Sequence, residues 1–184
     1  MQILALLALT HFVGSASAPK AESVASQPLR LTLAIPESTM PLGIQGNQNN
    51  LYVMFSQTGS APIRVWGQQC SWGYEMLSFE LRSPDTGAIM SLKRLPRPWY
   101  KNIPYTVEIS QDRHFVRSAA LGDGTWPRLP IPINEIGRYW VRAVYEVAAD
   151  EMTKNHKVVT GKVFSQWELV DFRNHIAAPP TAIP

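Results

Sequence analysis

The stretch YWVRAVYEV, residues 139–147, carries the clearest secondary-structure signal in the chain. Alternate positions place Tyr139, Val141, Ala143, Tyr145 and Val147 on one face and Trp140, Arg142, Val144 and Glu146 on the other. Side chains of a β-strand point alternately to its two faces, so this pattern predicts a strand with one face in a core. A polar excursion covers residues 149–161, and residues 162–172 are then expected to return as the last, antiparallel strand.

The same alternation recurs upstream of this strand. Further strands are predicted at residues 29–35, 51–55, 63–66, 77–81, 89–92, 105–109 and 115–121, and those at 29–35, 51–55, 77–81 and 105–109 carry inward-facing rows. Turn-forming residues separate the rows, and Ser83–Gly87 is the strongest turn signal, which makes its two flanking rows a hairpin. No segment shows helical periodicity of convincing length. Short alternating strands without intervening helices are typical of an all-β, two-sheet antiparallel sandwich.

The C-terminal part of the chain resembles an immunoglobulin-like domain. Glu135, Gly137 and Tyr139 stand where such domains carry a tyrosine corner, in which a buried ring bonds back to the main chain through its hydroxyl. Val141 occupies the position of the antibody cysteine, so the resemblance is to a disulfide-free version of the fold. It implies an immunoglobulin-like two-sheet antiparallel sandwich over residues 28–173.

Three stretches together carry a second resemblance, namely residues 70–81, residues 98–104 and residues 137–145. Their pattern is similar to that of uncharacterised exported bacterial proteins with an immunoglobulin-like β-sandwich domain. That resemblance implies export and the sandwich fold, and it implies no activity. A family of bacterial intracellular proteinase inhibitors looks like a related sandwich, but no reactive loop is recognisable in this sequence.

The first residues predict the compartment. Residues 3–13 form an apolar run that is about half of the ~20 residues needed to span a bilayer. Small residues follow, with Ala16 and Ala18 in the arrangement that signal peptidase reads, so residues 1–18 are predicted to be a signal peptide. We expect a flexible leader at 19–27, a disordered tail at 174–184 and no transmembrane segment. The domain is then exported, either to the periplasm or out of the cell.

Composition limits the classes of partner. The chain has 184 residues, of which 45% are apolar and 17% charged, and its formal net charge is +3. Those values predict one globular domain. A nucleic-acid-binding module normally carries a dense basic stripe, whereas Lys and Arg are spread widely here, so we expect no nucleic-acid partner.

Residues that could carry catalysis or hold a metal ion are few and scattered. Cys70 is the single cysteine, so no intramolecular disulfide can form. A catalytic thiolate needs a nearby histidine and often a helix N-terminus. His114, His156 and His175 are in uncertain register with Cys70, nothing around Cys70 indicates a helix start, and the histidines lack metal-site spacing. We predict a non-enzymatic protein without metal or cofactor. A further hypothesis, beside the two binding functions given below, is an enzyme that uses Cys70 or a histidine.

The most site-like stretch is residues 93–101. The candidate binding residues in it are Arg94, Arg97, Trp99, Tyr100 and Lys101. Their cations and rings could hold an acidic partner or a glycan through ion pairs, stacking and cation–π contacts. The simpler interpretation is a proline-stiffened connection between strands. We predict an exported, non-enzymatic binding or structural module that contacts a protein or another cell-envelope component; the alternative is a glycan-binding module using Trp99 and Tyr100 with the neighbouring cations.

Overall fold

A computed structural model of the protein describes residues 19, 27–35, 42–43, 50–121, 124–127 and 137–173. The predicted signal peptide, nearly all of the predicted leader and the predicted tail lie outside the described residues. The strands are β1 (Leu29–Ala34), β2 (Leu42–Gly43), β3 (Asn50–Gln57), β4 (Ile63–Trp66), β5 (Leu77–Arg82), β6 (Ile89–Lys93), β7 (Thr106–Ile109), β8 (Phe115–Ala120), β9 (Arg138–Val147), β10 (Gly161–Phe164) and β11 (Glu168–Arg173). The helices are α1 (Ser71–Tyr74) and α2 (Glu151–His156).

The all-β prediction is confirmed, and its strands form two larger sheets and one small one. The first sheet has the strand order β1-β3-β8, and the second has the order β2-β11-β9-β5-β6, with β10 also paired to β9. Strands β4 and β7 form a separate antiparallel pair. The β5–β6 hairpin is antiparallel as predicted, and the pairing of β2 with β11 is parallel.

The core lies between the two larger sheets. Alternation places Leu31 of β1, Val53 of β3, Phe79 of β5 and Val141 of β9 in it, each at most 3% exposed. The ring of Phe55 meets the ring of Tyr145 edge-on at 5.1 Å between centroids, which joins β3 to β9 across the interior. Burying one such apolar side chain contributes about 1.5–3 kcal/mol, so these rows hold the two sheets together as a sandwich.

The predicted last strand is divided in two. Residues 162–172 were expected to run unbroken, but residues 165–167 interrupt the pairing with β9 between β10 and β11. The Ser165 N–H donates to the Ala143 carbonyl at 2.9 Å, and the Ser165 hydroxyl accepts from the Ala143 N–H at 2.9 Å. The serine hydroxyl thereby substitutes for a main-chain carbonyl, and β9 stays hydrogen-bonded where its partner leaves the ladder.

The polar excursion at 149–161 contains a helix that the sequence did not predict. Helix α2 has six residues, too few to show a period, and it begins with a capping box. The Asp150 side chain accepts from the Thr153 N–H at 2.7 Å, and the Thr153 hydroxyl accepts from the Asp150 N–H at 2.9 Å. Lys157 ends the helix in the left-handed conformation, with φ of 54°. Within the described part of the chain, no helix is long and apolar enough to cross a membrane.

The row predicted at residues 105–109 is only partly buried. Ile109 is fully buried, but Tyr105 lies before β7 and is 49% exposed. Its carbonyl accepts from the Gly67 N–H at 2.8 Å, and its ring lies where a side chain on residue 67 would be. Tyr105 therefore covers a glycine at the sandwich surface instead of pointing into the core.

Candidate functional site

The segment that carries the predicted binding residues connects β6 to β7 and is called the β6–β7 segment, residues 94–105. Two hydrogen bonds attach the first part of this segment to other parts of the same chain. The Tyr74 hydroxyl donates to the Leu95 carbonyl at 2.9 Å, and the Leu95 N–H donates to the Thr125 carbonyl at 2.9 Å. The segment is thus attached to α1 on one side and to the chain beyond β8 on the other.

Three of the five predicted residues meet around the ring of Tyr74. The Arg97 guanidinium lies 3.9 Å from the centroid of Trp99 and 4.5 Å from that of Tyr74. The Trp99 ring meets Tyr74 edge-on at 5.6 Å. The Arg94 guanidinium lies 4.8 Å from the Tyr74 centroid and 5.1 Å from that of Trp126. Cations over ring faces gain from the ring quadrupole, so Arg94, Arg97 and Trp99 hold one another in place.

The other two predicted residues, Tyr100 and Lys101, point to solvent. Tyr100 is 95% exposed, and Lys101 is exposed as well. The next residue, Asn102, is attached to α1 by its side chain: its Nδ2 donates to the Ser71 hydroxyl at 2.6 Å, and its Oδ1 accepts from the Ser71 N–H at 2.9 Å. The exposed pair therefore lies between two attached residues, Trp99 and Asn102.

A pocket of about 330 Å³ opens beside this cluster. Its lining residues are Gln68, Gln69, Tyr74, Arg94, Arg97, Ser118, Ala120, Thr125 and Trp126. The Arg94 guanidinium also donates to the Gln68 side chain at 3.3 Å. The walls thus combine two cations, several polar side chains and two aromatic rings, which suits a small polar ligand.

Arg117 is buried on the inward face of β8 and was not singled out from the sequence. It is 1% exposed, and all three of its guanidinium nitrogens lack a hydrogen-bond partner within the described part of the chain. Burial, which is the larger cause, and repulsion from Arg94 lower the pKa of Arg117 to about 9. An arginine in the inward register of Phe115–Leu121 was the sequence signal that could have found it.

Tyr145 is a second buried ionisable residue, and its charge and that of Arg117 act on each other's pKa. Its hydroxyl accepts from the Trp66 N–H at 3.1 Å. Burial raises the pKa of Tyr145 to about 12, while the Trp66 hydrogen bond and the Arg117 charge act in the opposite direction. The phenol stays protonated at neutral pH, so it does not neutralise the Arg117 charge.

Cys70 is fully buried, and its thiol lies 3.3 Å from the Gly67 carbonyl oxygen. The expectation that no helix begins near it was wrong, because Cys70 is the N-cap of the four-residue helix α1. His156 packs against Trp66 at 5.3 Å between ring centroids, His114 is exposed, and His175 lies outside the described residues. Across the described ranges, no group of three or more His, Cys, Asp or Glu residues is placed to hold a metal ion.

A second cluster of cations and rings lies on the outward face of β9. Arg142 pairs with Glu80 at 2.7 Å, and its guanidinium lies 4.0 Å from the centroid of Phe164 and 4.4 Å from that of Trp167. Arg142 is only 6% exposed, so this face is covered instead of open as its sequence suggested. Because its charge has a carboxylate partner, the cluster is structural and offers no unused donor set.

Comparison with known proteins gives no assignment for this chain: no protein-family model, no curated protein and no solved structure matches it.

Proposed function

We propose that the protein is an immunoglobulin-like sandwich that acts as an exported, non-enzymatic binding module of the cell envelope. The strand order β1-β3-β8 supports the fold because it corresponds to strands A, B and E, and β6-β5-β9-β11 corresponds to C′, C, F and G. The N-terminal strands contact both sheets, with β1 on β3 and β2 on β11. The export part of the proposal rests on the apolar run at residues 3–13 and the small residues after it.

The exposure of the β6–β7 segment carries the binding proposal. Among the described residues, the large apolar side chains left exposed are Ile89, Leu95, Tyr100, Ile103, Tyr105 and Val116. Four of these six lie within residues 95–105, and Tyr100 and Ile103 are 95% and 74% exposed. Single exposed apolar residues are ordinary, but a concentration on one segment indicates a contact surface.

This surface is held in place before any partner binds. Trp99 is fixed by Arg97 and Tyr74, and Asn102 is fixed by Ser71, so Tyr100 lies on a short stretch attached at both ends. Ordering a loop during binding costs free energy, and a segment that is already ordered avoids that cost. Rigid exposed aromatic residues next to arginine are also the residue types enriched at binding hot spots.

The charge of the segment indicates the chemistry of the partner. Residues 94–105 contain the cations Arg94, Arg97 and Lys101 and no Asp or Glu. Complementary charge steers association and selects partners, so a surface of this kind favours an acidic one. We therefore propose a protein partner that presents acidic side chains around an apolar contact.

The glycan alternative depends chiefly on Tyr100. Sugar rings stack on open aromatic faces, but Arg97 covers one face of Trp99 at 3.9 Å. Trp99 thus serves the segment's internal packing, and of the two rings predicted to hold a glycan Tyr100 is the one open to a ligand. A single open ring is less than the paired platform that the sequence suggested, and for this reason the protein partner is preferred.

The test is a cross-linking pull-down from an envelope extract, read by quantitative mass spectrometry. The full chain is compared with the double variant Tyr100→Ala/Ile103→Ser. The matched control is Ile89→Ser/Val116→Ser, which removes two apolar side chains, each 54% exposed, outside the segment. Circular dichroism verifies that all three forms are folded.

We expect a protein with an acidic surface to be recovered by the full chain and by the control, and to be depleted at least about tenfold with the double variant. Purified partner and protein should then bind directly with the same dependence. Equal recovery by all three forms would remove the segment from the proposal. Recovery of glycan alone, lost with Tyr100→Ala on a glycan array, would replace the protein proposal by the glycan one.

A further inference from the structure

Strand β6 is an outer strand of its sheet and pairs with β5 alone among the described strands. The other side of an outer strand presents a row of main-chain N–H and C=O groups, which can serve as a template for a further strand. Two other outer strands carry features that discourage such pairing. Strand β2 has only two residues, and β8 carries the inward-pointing charge of Arg117. Strand β6 has five residues, with no inward-pointing charge and no proline.

The hydrogen-bond register identifies the residues of β6 whose main-chain groups point away from β5. At the turn end of the hairpin, the Ser83 N–H donates to the Ala88 carbonyl at 2.9 Å. Bonded and non-bonded residue pairs alternate along an antiparallel ladder, so Met90 and Leu92 are the residues of β6 that bond to β5. The residues whose main-chain groups point to the open side are Ile89, Ser91 and Lys93.

The open side ends where the chain leaves β6. The Leu95 N–H points in the same direction, but it donates to the Thr125 carbonyl at 2.9 Å. Between Ile89 and Lys93, no main-chain hydrogen bond to another described residue uses the outward groups. The open side thus has the length of β6 itself, which suits a short extended peptide.

The inner face of β6 would give such a peptide an apolar contact. Leu92 is 2% exposed, whereas Met90 packs against the core and is only partly buried. Side chains alternate between the two faces of a strand, so every second side chain of an added strand would lie beside these two residues. Apolar side chains at those positions would extend the core at this edge.

The outer face indicates the charge of the peptide. Residues 86–105, which contain β6 and the segment after it, include four cations and no Asp or Glu. Lys93 has no ion-pair partner among the described residues. On the same outer face, Glu80 is paired with Arg142 at 2.7 Å and Glu146 with Lys162 at 3.1 Å. An acidic side chain opposite Lys93 is therefore favoured, whereas a second copy of this chain would bring like charges to the edge.

We propose that the open side of β6 binds an extended acidic peptide segment of another protein, which adds to the sheet as one further strand. Its main chain bonds to the outward groups of Ile89, Ser91 and Lys93. Its apolar side chains lie beside Met90, and an acidic side chain faces Lys93. In this mode of recognition the main-chain bonds supply affinity, and the alternating side chains supply specificity.

This inference goes beyond the proposed interaction surface and is independent of it. Tyr100 and Ile103, on which the pull-down depends, follow Leu95, where the open side ends. The pull-down control Ile89→Ser leaves the main chain of β6 in place. Failure of the pull-down would leave the strand site untouched, and failure of peptide binding would leave the interaction surface untouched.

Amide hydrogen exchange, measured by NMR on the full chain, tests whether the edge is open. In the free protein we expect the N–H groups of Ser91 and Lys93 to exchange at least about 100-fold faster than those of Met90 and Leu92, which are bonded to β5. Slow exchange at Ser91 and Lys93 in the free chain would overturn the proposal. It would show that the edge is already covered, by a second copy if the protection rises with protein concentration and by this chain itself if it does not.

The probe for binding is the heptapeptide Val-Glu-Val-Thr-Val-Glu-Val with blocked ends. Its side-chain order is the same in both directions, so it fits a parallel or an antiparallel added strand. The same peptide with lysine in place of glutamate is the charge control. The two edge variants are Ser91→Pro, which removes an outward N–H, and Lys93→Glu, which reverses the charge.

Matched control variants carry the same kinds of substitution elsewhere. Ser118→Pro lies on β8, where the alternation also points the main chain of residue 118 away from its neighbour β3, because the Thr58 N–H bonds to Pro28 on the β1 side. Arg113→Glu reverses an exposed cation in the turn before β8. Circular dichroism verifies that all four variants are folded.

We expect the glutamate peptide to bind saturably at millimolar concentration and to slow exchange at Ser91 and Lys93 about tenfold or more at saturation. The lysine peptide should bind the full chain at least about tenfold more weakly, and so should the glutamate peptide bind the two edge variants. Ser118→Pro and Arg113→Glu should bind as the full chain does. Unchanged exchange at Ser91 and Lys93 with millimolar peptide, or undiminished binding by folded Ser91→Pro, would overturn the proposal.

Discussion

At the scale of single residues, the interior holds two ionisable groups with opposite responses to pH. Burial lowers the pKa of Arg117 and raises that of Tyr145. In both cases desolvation penalises the charged form, and in both the neutral form is the one favoured by the fold. Tyr145 also has a structural role, because its hydroxyl satisfies the Trp66 N–H inside the sandwich.

Tyr145 makes the stability of the fold fall at alkaline pH. Its pKa is about 12 in the folded protein against an ordinary value of 10.0, so above pH 10 the folded state keeps a proton that the unfolded chain has lost. The Tyr145 contribution is complete below pH 10 and is lost as pH rises toward 12, by up to about 1.4 kcal/mol per pH unit. Arg117 acts with the opposite sign between its folded and unfolded pKa values.

The test compares the full chain with Tyr145→Phe by urea denaturation across the range from about pH 8 to pH 11. Near pH 8 we expect the variant to be less stable by about 1–3 kcal/mol, because the Trp66 N–H loses its acceptor. Above pH 10 the difference should narrow, because phenylalanine has no proton to lose. A difference that stays constant over the range would contradict the assignment.

At the scale of elements, a close crossing joins helix α1 to the end of β4. A side chain on Gly73 of α1 would overlap the main-chain carbonyl of Gly67, just after β4. The Cys70 carbonyl accepts from the Tyr74 N–H at 2.9 Å, which closes the turn between them. This crossing positions Tyr74, around which the cations of the β6–β7 segment gather.

Gly73→Ala should therefore destabilise the protein although alanine is the better helix former. The added methyl group meets main chain, which cannot rotate away, and overpacking of this kind costs about 1–3 kcal/mol or more. The matched control is Gly59→Ala, since nothing lies within 4 Å of a side chain there, and we expect a change within about 0.5 kcal/mol. Free energies of unfolding from urea titrations are compared, and equal values for the two variants would refute the close crossing.

At the scale of the whole molecule, one hydrophobic cluster connects both large sheets, and Cys70 is part of it. A core that spans both sheets couples their unfolding, because neither sheet can expose its inner face without exposing the other. Cys70 is fully buried and is the single cysteine of the chain, so its thiol reports on this cooperative event.

We expect a thiol reagent to leave Cys70 unmodified in the folded protein and to modify it fully in denaturant. The labelling midpoint in urea should coincide with that of tryptophan fluorescence, as two probes of a single transition do. Rapid modification of protein with a native circular dichroism spectrum would show an accessible thiol instead. That result would also revive the hypothesis of a thiol nucleophile, which burial of Cys70 argues against.

The sequence predicts the strands well because buried and exposed residues alternate along a strand, and this pattern lies within a few neighbouring residues. The row Tyr139, Val141, Ala143, Tyr145 and Val147 faces the core as its alternation indicated, and each of these residues is at most 4% exposed. The same is true of Leu51, Val53 and Phe55 on β3. A period of two residues is readable without knowing which strand lies opposite. The short helix α2 and the break at Ser165 lack such a signal, since each depends on one or two specific hydrogen bonds.

The candidate site could be predicted only in part from the sequence, because some of its contacts are not local. The β6–β7 segment was recognisable because its cations and rings are close in sequence, but Tyr74 and Trp126, which hold them, come from other parts of the chain. Composition and local alternation by themselves determined the all-β class, the strand rows and the candidate segment. Only the tertiary structure decided that Trp99 is packed, that Tyr100 is open and that Arg117 is buried with no hydrogen-bond partner among the described residues. Contacts between residues far apart in sequence set the dielectric surroundings and the partners of each group. Those surroundings determine the pKa of an ionisable side chain.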